Sequence, residues 1–284
     1  MIKIIKQGNH RTIKRAFSIS ATSPYIENHQ TNLIVQPNEK GIVFVSNGKE
    51  ITVSHSSNVY ANGIHATFLN NGNGGTVKLS EHLLSALTGM GVTAARLVLD
   101  TDQVPVPDRC AETFCREIEN VGIEETDSRL EVAVVTEDIW FEDNGSFAFL
   151  RPSKIPKISA LIQFAHLFED QYLKINLDQK SYWNEIMWAR PFIRVDCPDE
   201  ASYQEAVSKL SGIPREINKS TVCVRSNGKW VTGIKPQEPV RHKILDAIGD
   251  LTTFGYPIIA DISLVRPGHD FHRKLVNYLN EKKE

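Results

Sequence analysis

The chain has 284 residues, 32 Lys and Arg against 34 Asp and Glu for a net charge of −2, and 41% hydrophobic residues. That composition excludes a disordered chain and a broadly basic nucleic-acid binder, and no apolar run approaches the ~20 residues a membrane-spanning helix needs. Cys110, Cys115, Cys197 and Cys223 have neither zinc-ligand spacing nor the density of a disulfide scaffold. Buried small apolar thiols are therefore expected, in a cytoplasmic protein without a signal peptide.

Residues 16–20, 31–36, 41–46 and 50–55 alternate or carry β-branched side chains between turns such as Asn47-Gly48, which predicts strands. Asn70-Asn-Gly-Asn-Gly-Gly75 predicts a tight turn or loop. A helix is expected at 78–88, with Thr76 or Ser80 as N-cap and Gly89 just past its end. Residues 96–100 read as a strand and 111–121 as an amphipathic helix. Between Gly122 and Arg129 the texture turns polar, and the pattern restarts. Strands are expected at 130–135, 139–141, 146–150, 159–164 and 172–177, then a helix at 202–211 and a strand at 221–224. A strong helix at 239–253, a strand at 258–265 and a closing helix at 272–281 follow. Each half runs strands first and helices last, which predicts an α+β fold of two layered domains, 1–125 and 126–284. The halves share no clear sequence identity, so a duplication is no more than a suspicion at this level.

The most informative segment is Val240-Arg-His-Lys-Ile-Leu-Asp-Ala-Ile-Gly-Asp-Leu251. On a helix, His242, Asp246 and Asp250 fall within an arc of roughly 80°, while Ile244, Ala247, Ile248 and Leu251 cover the other side. Two ligands one turn apart on a rigid element suit a metal ion; the plain alternative is a solvated charged face. Ser80-Glu-His-Leu-Leu84 places Glu81 and His82 in the first turn of a helix, where amide dipoles favour a carboxylate anyway. His82 can bind a metal from there while Glu81 reaches a water on it. Two neutral histidines and an aspartate leave a tetrahedral position open, the pattern of catalytic rather than structural zinc. Pro267-Gly-His269 reads as a loop, its histidine either a plain surface residue or a general acid held by Asp250. His10, His29, His55, His65, His166 and His272 show no partner pattern.

Together these segments resemble the zinc-dependent UDP-3-O-acyl-N-acetylglucosamine deacetylases of lipid A biosynthesis. The resemblance is carried by Ser80-Glu-His-Leu-Leu-Ser-Ala-Leu87, by the 240–251 segment and by Pro267-Gly-His269. His10-Arg-Thr-Ile-Lys-Arg15 and Pro105-Val-Pro-Asp108 add weaker support, all in the family's order. The resemblance implies two α+β domains packed face to face with the site between them. It implies zinc, or Fe²⁺ in the cell, on His82, His242 and Asp246. Glu81 would be the general base and His269 the general acid, oriented by Asp250. Lys243 would meet the charged nucleotide part of the substrate and Phe192 would line the sugar pocket. The implied partner is a soluble or lipid-linked sugar nucleotide, bound by a monomer, with no nucleic acid involved.

The departures cluster in substrate recognition. The family's Gly-rich stretch after its first strand is Ala21-Thr-Ser-Pro-Tyr-Ile-Glu-Asn28 here, and an Asp-Gly-Ser is Asp108-Arg-Cys110. The Thr whose hydroxyl helps stabilise the oxyanion is Pro191, which offers neither hydroxyl nor N–H. A donor of that kind is worth about 3 kcal/mol of barrier. Residues 193–220 do not reproduce the insert that forms the family's acyl-chain passage. Two readings therefore stand: a deacetylase with a changed acyl group or sugar, or a non-catalytic, metal-stabilised descendant that binds a related sugar nucleotide.

Overall fold

The computed structural model describes residues 1–22, 30–54, 57–60, 66–164, 167–194, 222–224, 228, 230 and 233–284. The expected helix at 202–211 and the glycine-poor stretch at 23–28 lie outside them. Among the described residues no helix is long and apolar enough to cross a membrane.

The first half holds strands β1 (Ile2–Ile13), β2 (Phe17–Thr22), β3 (Gln30–Gln36), β4 (Ile42–Ser46), β5 (Lys49–Thr52), β6 (Ser57–Tyr60), β7 (Thr67–Asn70), β8 (Thr76–Lys78) and β9 (Ala95–Leu99), with helices α1 (Glu81–Gly89) and α2 (Glu112–Val121). The second half holds β10 (Ile123–Val135), β11 (Ile139–Asp143), β12 (Ser146–Arg151), β13 (Lys157–Ile162), β14 (Gln171–Asn176), β15 (Phe192–Arg194), β16 (Val222–Val224), β17 (Ile258–Ile259) and β18 (Asp261–Val265). Its helices are α3 (Gln179–Glu185), α4 (Glu238–Thr252) and α5 (His269–Glu281). This is an α+β fold in which each half runs through its strands before its last helix.

Alternation builds the main sheets. In β3, Thr31, Leu33 and Val35 are buried while Asn32 and Ile34 face out, the two-residue period of a half-buried strand. Asn47-Gly48 has φ of 51° and 72°, the left-handed pair of a two-residue hairpin turn, and Asn144-Gly145 repeats it between β11 and β12. One five-stranded sheet runs β2-β3-β9-β4-β5 and the other β11-β12-β18-β13-β14. In both, a hairpin and a second hairpin flank a late central strand, antiparallel to the first hairpin and parallel to the second. The suspected duplication is therefore visible in topology although not in sequence identity.

Several elements depart from expectation. The polar run at 122–129 is strand: β10 passes through residue 125 without a break and pairs antiparallel with β1. Ladder hydrogen bonds, rather than apolar alternation, hold this ribbon, which is why composition did not mark β1 as a strand. The expected strand at 258–265 is two strands separated by Ala260, one pairing with β10 and one inside the second sheet. The helix expected from 78 starts at Glu81, because Lys78 still belongs to β8 and Leu79 has a φ of 61°. The closing helix starts at His269 instead of 272.

Helices from the two halves meet face to face, α1 against α4, with α5 beside α4 and α2 beside α1. The buried apolar residues of both halves form one continuous core. Two glycines set how closely the helices approach. A Cβ on Gly89 would overlap the ring of Tyr182, and one on Gly249 would collide with the backbone of Glu81, 2.7 Å from its carbonyl carbon.

Candidate metal centre

The close crossing at Gly249 brings the polar faces of α1 and α4 to one point. His242, Asp246 and Asp250 follow one another at single turns of α4, and all three are buried among apolar residues. The face is therefore not a solvated one. Glu81 and His82, in the first turn of α1, are buried opposite it.

Asp246 Oδ1 lies 3.3 Å from His242 Nε2 and 3.5 Å from His82 Nε2. It is a buried carboxylate oxygen with no hydrogen-bond partner among the described residues. Charge-assisted N–H···O bonds run shorter, about 2.7–2.9 Å. Tetrahedral ligands with bonds of about 2.0–2.1 Å stand about 3.3 Å apart, so the spacing fits a cation between these atoms better than a proton. The three donor atoms all lie within 4.8 Å of one another. His242 Nδ1 is 3.0 Å from the carbonyl of Ala189, which takes its proton and leaves the Nε2 lone pair facing the pocket. Lys243 Nζ donates to Asp246 Oδ2 at 2.9 Å. Two imidazoles and one carboxylate in this arrangement fit a metal ion.

Further titratable groups flank the pocket. Glu81 Oε2 accepts from the Thr67 N–H at 3.0 Å. Burial pushes its carboxyl above the ordinary value, against the pull of His269 and His82, making it a better proton acceptor near neutrality. His269 Nδ1 is 2.8 Å from Asp250 Oδ2, and its Nε2 is 3.8 Å from Asp246 Oδ2. Burial opposes charge on this ring, but Asp250 and Asp246 outweigh it and raise its pKa to about 9. His242 goes the other way: burial lowers it to about 4 despite Asp246. Burial also works against a charged Asp250, yet His269 and His272 hold it well below the carboxylate range.

Lys243 and Phe192 lie together beside the pocket, with Nζ 5.8 Å from the ring centroid. Phe192 meets Phe164 and Phe168 edge-on at 5.0 and 5.7 Å, which makes an aromatic wall. All eight expected site residues are thus near one another. Leu79, one residue ahead of the α1 cap Ser80, has a φ of 61°, and Gln237 and Arg266 have φ of 53° and 51° directly before α4 and before Pro267-Gly268-His269. A left-handed non-glycine residue costs roughly 1–2 kcal/mol, and here that strain falls just ahead of the segments that carry Glu81 and His82, the three acidic and imidazole groups of α4, and His269.

The family model described as UDP-3-O-acyl N-acetylglycosamine deacetylase matches residues 10–281. The chain belongs to this deacetylase family. The UDP-3-O-acyl-N-acetylglucosamine deacetylase of Campylobacter fetus subsp. fetus is 31% identical over 88% of this chain and 85% of its own length. Those of Myxococcus xanthus and Anaeromyxobacter dehalogenans are 30% and 27% identical over 94% of this chain, covering 85% and 86% of their own.

Two polar residues of this candidate site escaped the sequence reading. The Thr67 backbone holds Glu81 while its hydroxyl donates to Asp250 Oδ1. A threonine in a short strand gives no pattern that would have revealed this. His272, read as having no partner, is fully buried with Nδ1 2.7 Å from Asp250 Oδ2. Its spacing of three from His269 was a usable signal, since both lie on one face once the helix starts at 269.

Proposed function

We propose that the chain hydrolyses the acetamide of a UDP-3-O-acyl-N-acetylglucosamine or a closely related N-acetyl amino sugar, releasing acetate and a free amine. One observation carries the reading: two imidazole nitrogens and an unpartnered carboxylate oxygen converge in a buried pocket flanked by Glu81 and His269, in a chain of the deacetylase family. His82, His242 and Asp246 would hold Zn²⁺, or Fe²⁺ in the cell. The bound ion would supply Lewis acidity, polarising the amide carbonyl and lowering the pKa of water toward ~7.

Glu81 takes the proton of the attacking water as its oxygen adds to the acetyl carbon. His269, kept protonated by Asp250, gives its Nε2 proton to the leaving nitrogen as the C–N bond breaks, because an amine leaves poorly unprotonated. Lys243 meets the nucleotide's negative charge and Phe192 packs on the sugar. Our reading has the reaction in the cytoplasm, carried out by a monomer.

The test is acetate release from UDP-3-O-acyl-N-acetylglucosamine by zinc-loaded chain, with and without a chelator. Chelator-sensitive turnover is expected, with Glu81→Ala and His269→Ala keeping zinc and losing activity; unchanged rates in those variants overturn the assignment. Pro191 favours a second reading, a metal-stabilised binding module. Its carbonyl is tied to Val222 N at 2.7 Å, and it brings no oxyanion donor where the resemblance has a threonine. That reading predicts zinc and sugar-nucleotide binding without turnover.

A further inference from the structure

We propose that His272 is a positioning residue for deacetylation, fixing Asp250 so that His269 faces the leaving group; the inference rests on the reaction proposed above. Asp250 Oδ2 accepts from two imidazoles at once, His269 Nδ1 at 2.8 Å and His272 Nδ1 at 2.7 Å. Its other oxygen accepts from the Thr67 hydroxyl. The carboxylate of α4 is therefore held from β7 and twice from α5, and it has no free rotation about its terminal bond.

The second imidazole is an expensive way to fill space. His272 is fully buried, and its Nε2 has no hydrogen-bond partner among the described residues. Burying an unpaired polar nitrogen costs on the order of 1–3 kcal/mol, and an apolar side chain would pack this seam without that cost. What the imidazole adds is a single well-placed donor to Asp250. His269 is the first residue of α5, just after Pro267-Gly268, while His272 lies one turn further into the helix. His272 ties α5 to the carboxylate independently of His269. Asp250 thus keeps its place when substrate meets His269 and its proton departs.

The donor atoms of Asp250, His269 and His272 also lie within 4.8 Å of one another. Both rings, however, aim Nδ1 at the same oxygen at hydrogen-bond distance, so these three side chains form a relay and not a second metal site.

The experiment compares His272→Phe and His272→Asn with the wild type as zinc-loaded full chains turning over UDP-3-O-acyl-N-acetylglucosamine. An asparagine amide can donate from nearly the position of Nδ1; a phenylalanine fills the space without donating. His272→Phe is expected to lose about tenfold or more in kcat with KM and zinc content unchanged, as partners of site residues commonly do. His272→Asn is expected to recover most of that loss, and Asp250→Ala/His272→Phe to be no slower than Asp250→Ala. Full kcat in His272→Phe, or a folded His272→Asn as slow as the phenylalanine variant, overturns the inference. A wild-type chain without turnover is instead the failure of the reaction itself. Nitrogen–proton NMR of histidine-labelled chain then still reads the bond: a His272 Nδ1–H signal that disappears in Asp250→Ala supports it, and a proton on Nε2 alone overturns it.

Discussion

Replacing Gly249 with alanine tests whether the site depends on the close crossing of α1 and α4. The added Cβ would meet Glu81 at 2.7 Å from the carbonyl carbon and 3.0 Å from Cα, both backbone atoms that no rotamer change can move. Ordinary carbon contacts lie at about 3.5–4.0 Å, so the helices must part by about 1 Å. Overpacking of this kind costs about 1–3 kcal/mol, and alanine's better helix propensity returns about 1 kcal/mol. A net loss of up to about 2 kcal/mol corresponds to a fall of up to about 3 °C in the unfolding midpoint of a chain of 284 residues. The effect on turnover should be far larger, because Glu81 is the residue pushed and a 1 Å misplacement can cost about 100-fold. Thermal unfolding of metal-free Gly249→Ala by circular dichroism, beside acetate release by the zinc-loaded variant, measures both. Gly233→Ala is the control, since a Cβ there meets nothing within 4 Å among the described residues. A Gly249→Ala chain that melts within about 1 °C of wild type and keeps full turnover would refute the reasoning.

In the metal-free chain, His269 at about 9 and the likewise raised His82 contribute stability that is complete below the unfolded imidazole value of about 6.5 and lost as pH rises through their folded values. His242, held at about 4, acts in the opposite sense and costs stability as pH falls below about 6.5. Urea midpoints of metal-free chain should therefore peak near that pH and decline on both sides, and His269→Gln should flatten the alkaline limb; an unchanged limb counts against the pairing with Asp250. Glu238, fully buried, binds Arg190 through Nε at 2.7 Å and Nη2 at 3.0 Å, next to the Ala189 carbonyl that orients His242. Glu238→Gln should cost about 3 kcal/mol by removing the carboxylate charge that faces the guanidinium and weaken zinc roughly tenfold in a chelator competition. Asp246→Asn should lose bound zinc to background by atomic absorption, whereas Glu81→Gln should retain it.

What the sequence revealed follows from the range of the interactions involved. The i, i+4, i+8 pattern of His242, Asp246 and Asp250 is a local property of one helix, so it could be read directly, as could strands bounded by Asn-Gly turns. β1 and the start of β10 could not, because Lys3, Lys6, Glu124 and Glu125 sit in the β1–β10 ladder, whose hydrogen bonds cross more than a hundred residues. Thr67 works the same way, reaching Glu81 across 14 residues and Asp250 across 183. His272 is the instructive failure: placing the helix start three residues late left His269 in a loop. The one periodicity that links the two histidines was thereby lost.

The topology explains why the site lies where it does. In each half, one helix immediately precedes the central strand of the five-stranded sheet, α1 before β9 and α4 before β18, separated only by the short β17. In each half a second helix follows that strand, α2 in the first and α5 in the second. The two preceding helices occupy equivalent places in their halves, and they are the pair that cross at Glu81 and Gly249. Two copies of one layered plan, packed helix layer to helix layer, must bring these equivalents together along a seam. The chemistry then comes from breaking the equivalence. α1 supplies its N-terminal turn, Glu81 and His82, while α4 passes the same point with its middle turns and supplies His242, Asp246 and Asp250. Neither half alone contains the two imidazoles and the carboxylate that converge, so the metal pocket exists only while the seam is closed.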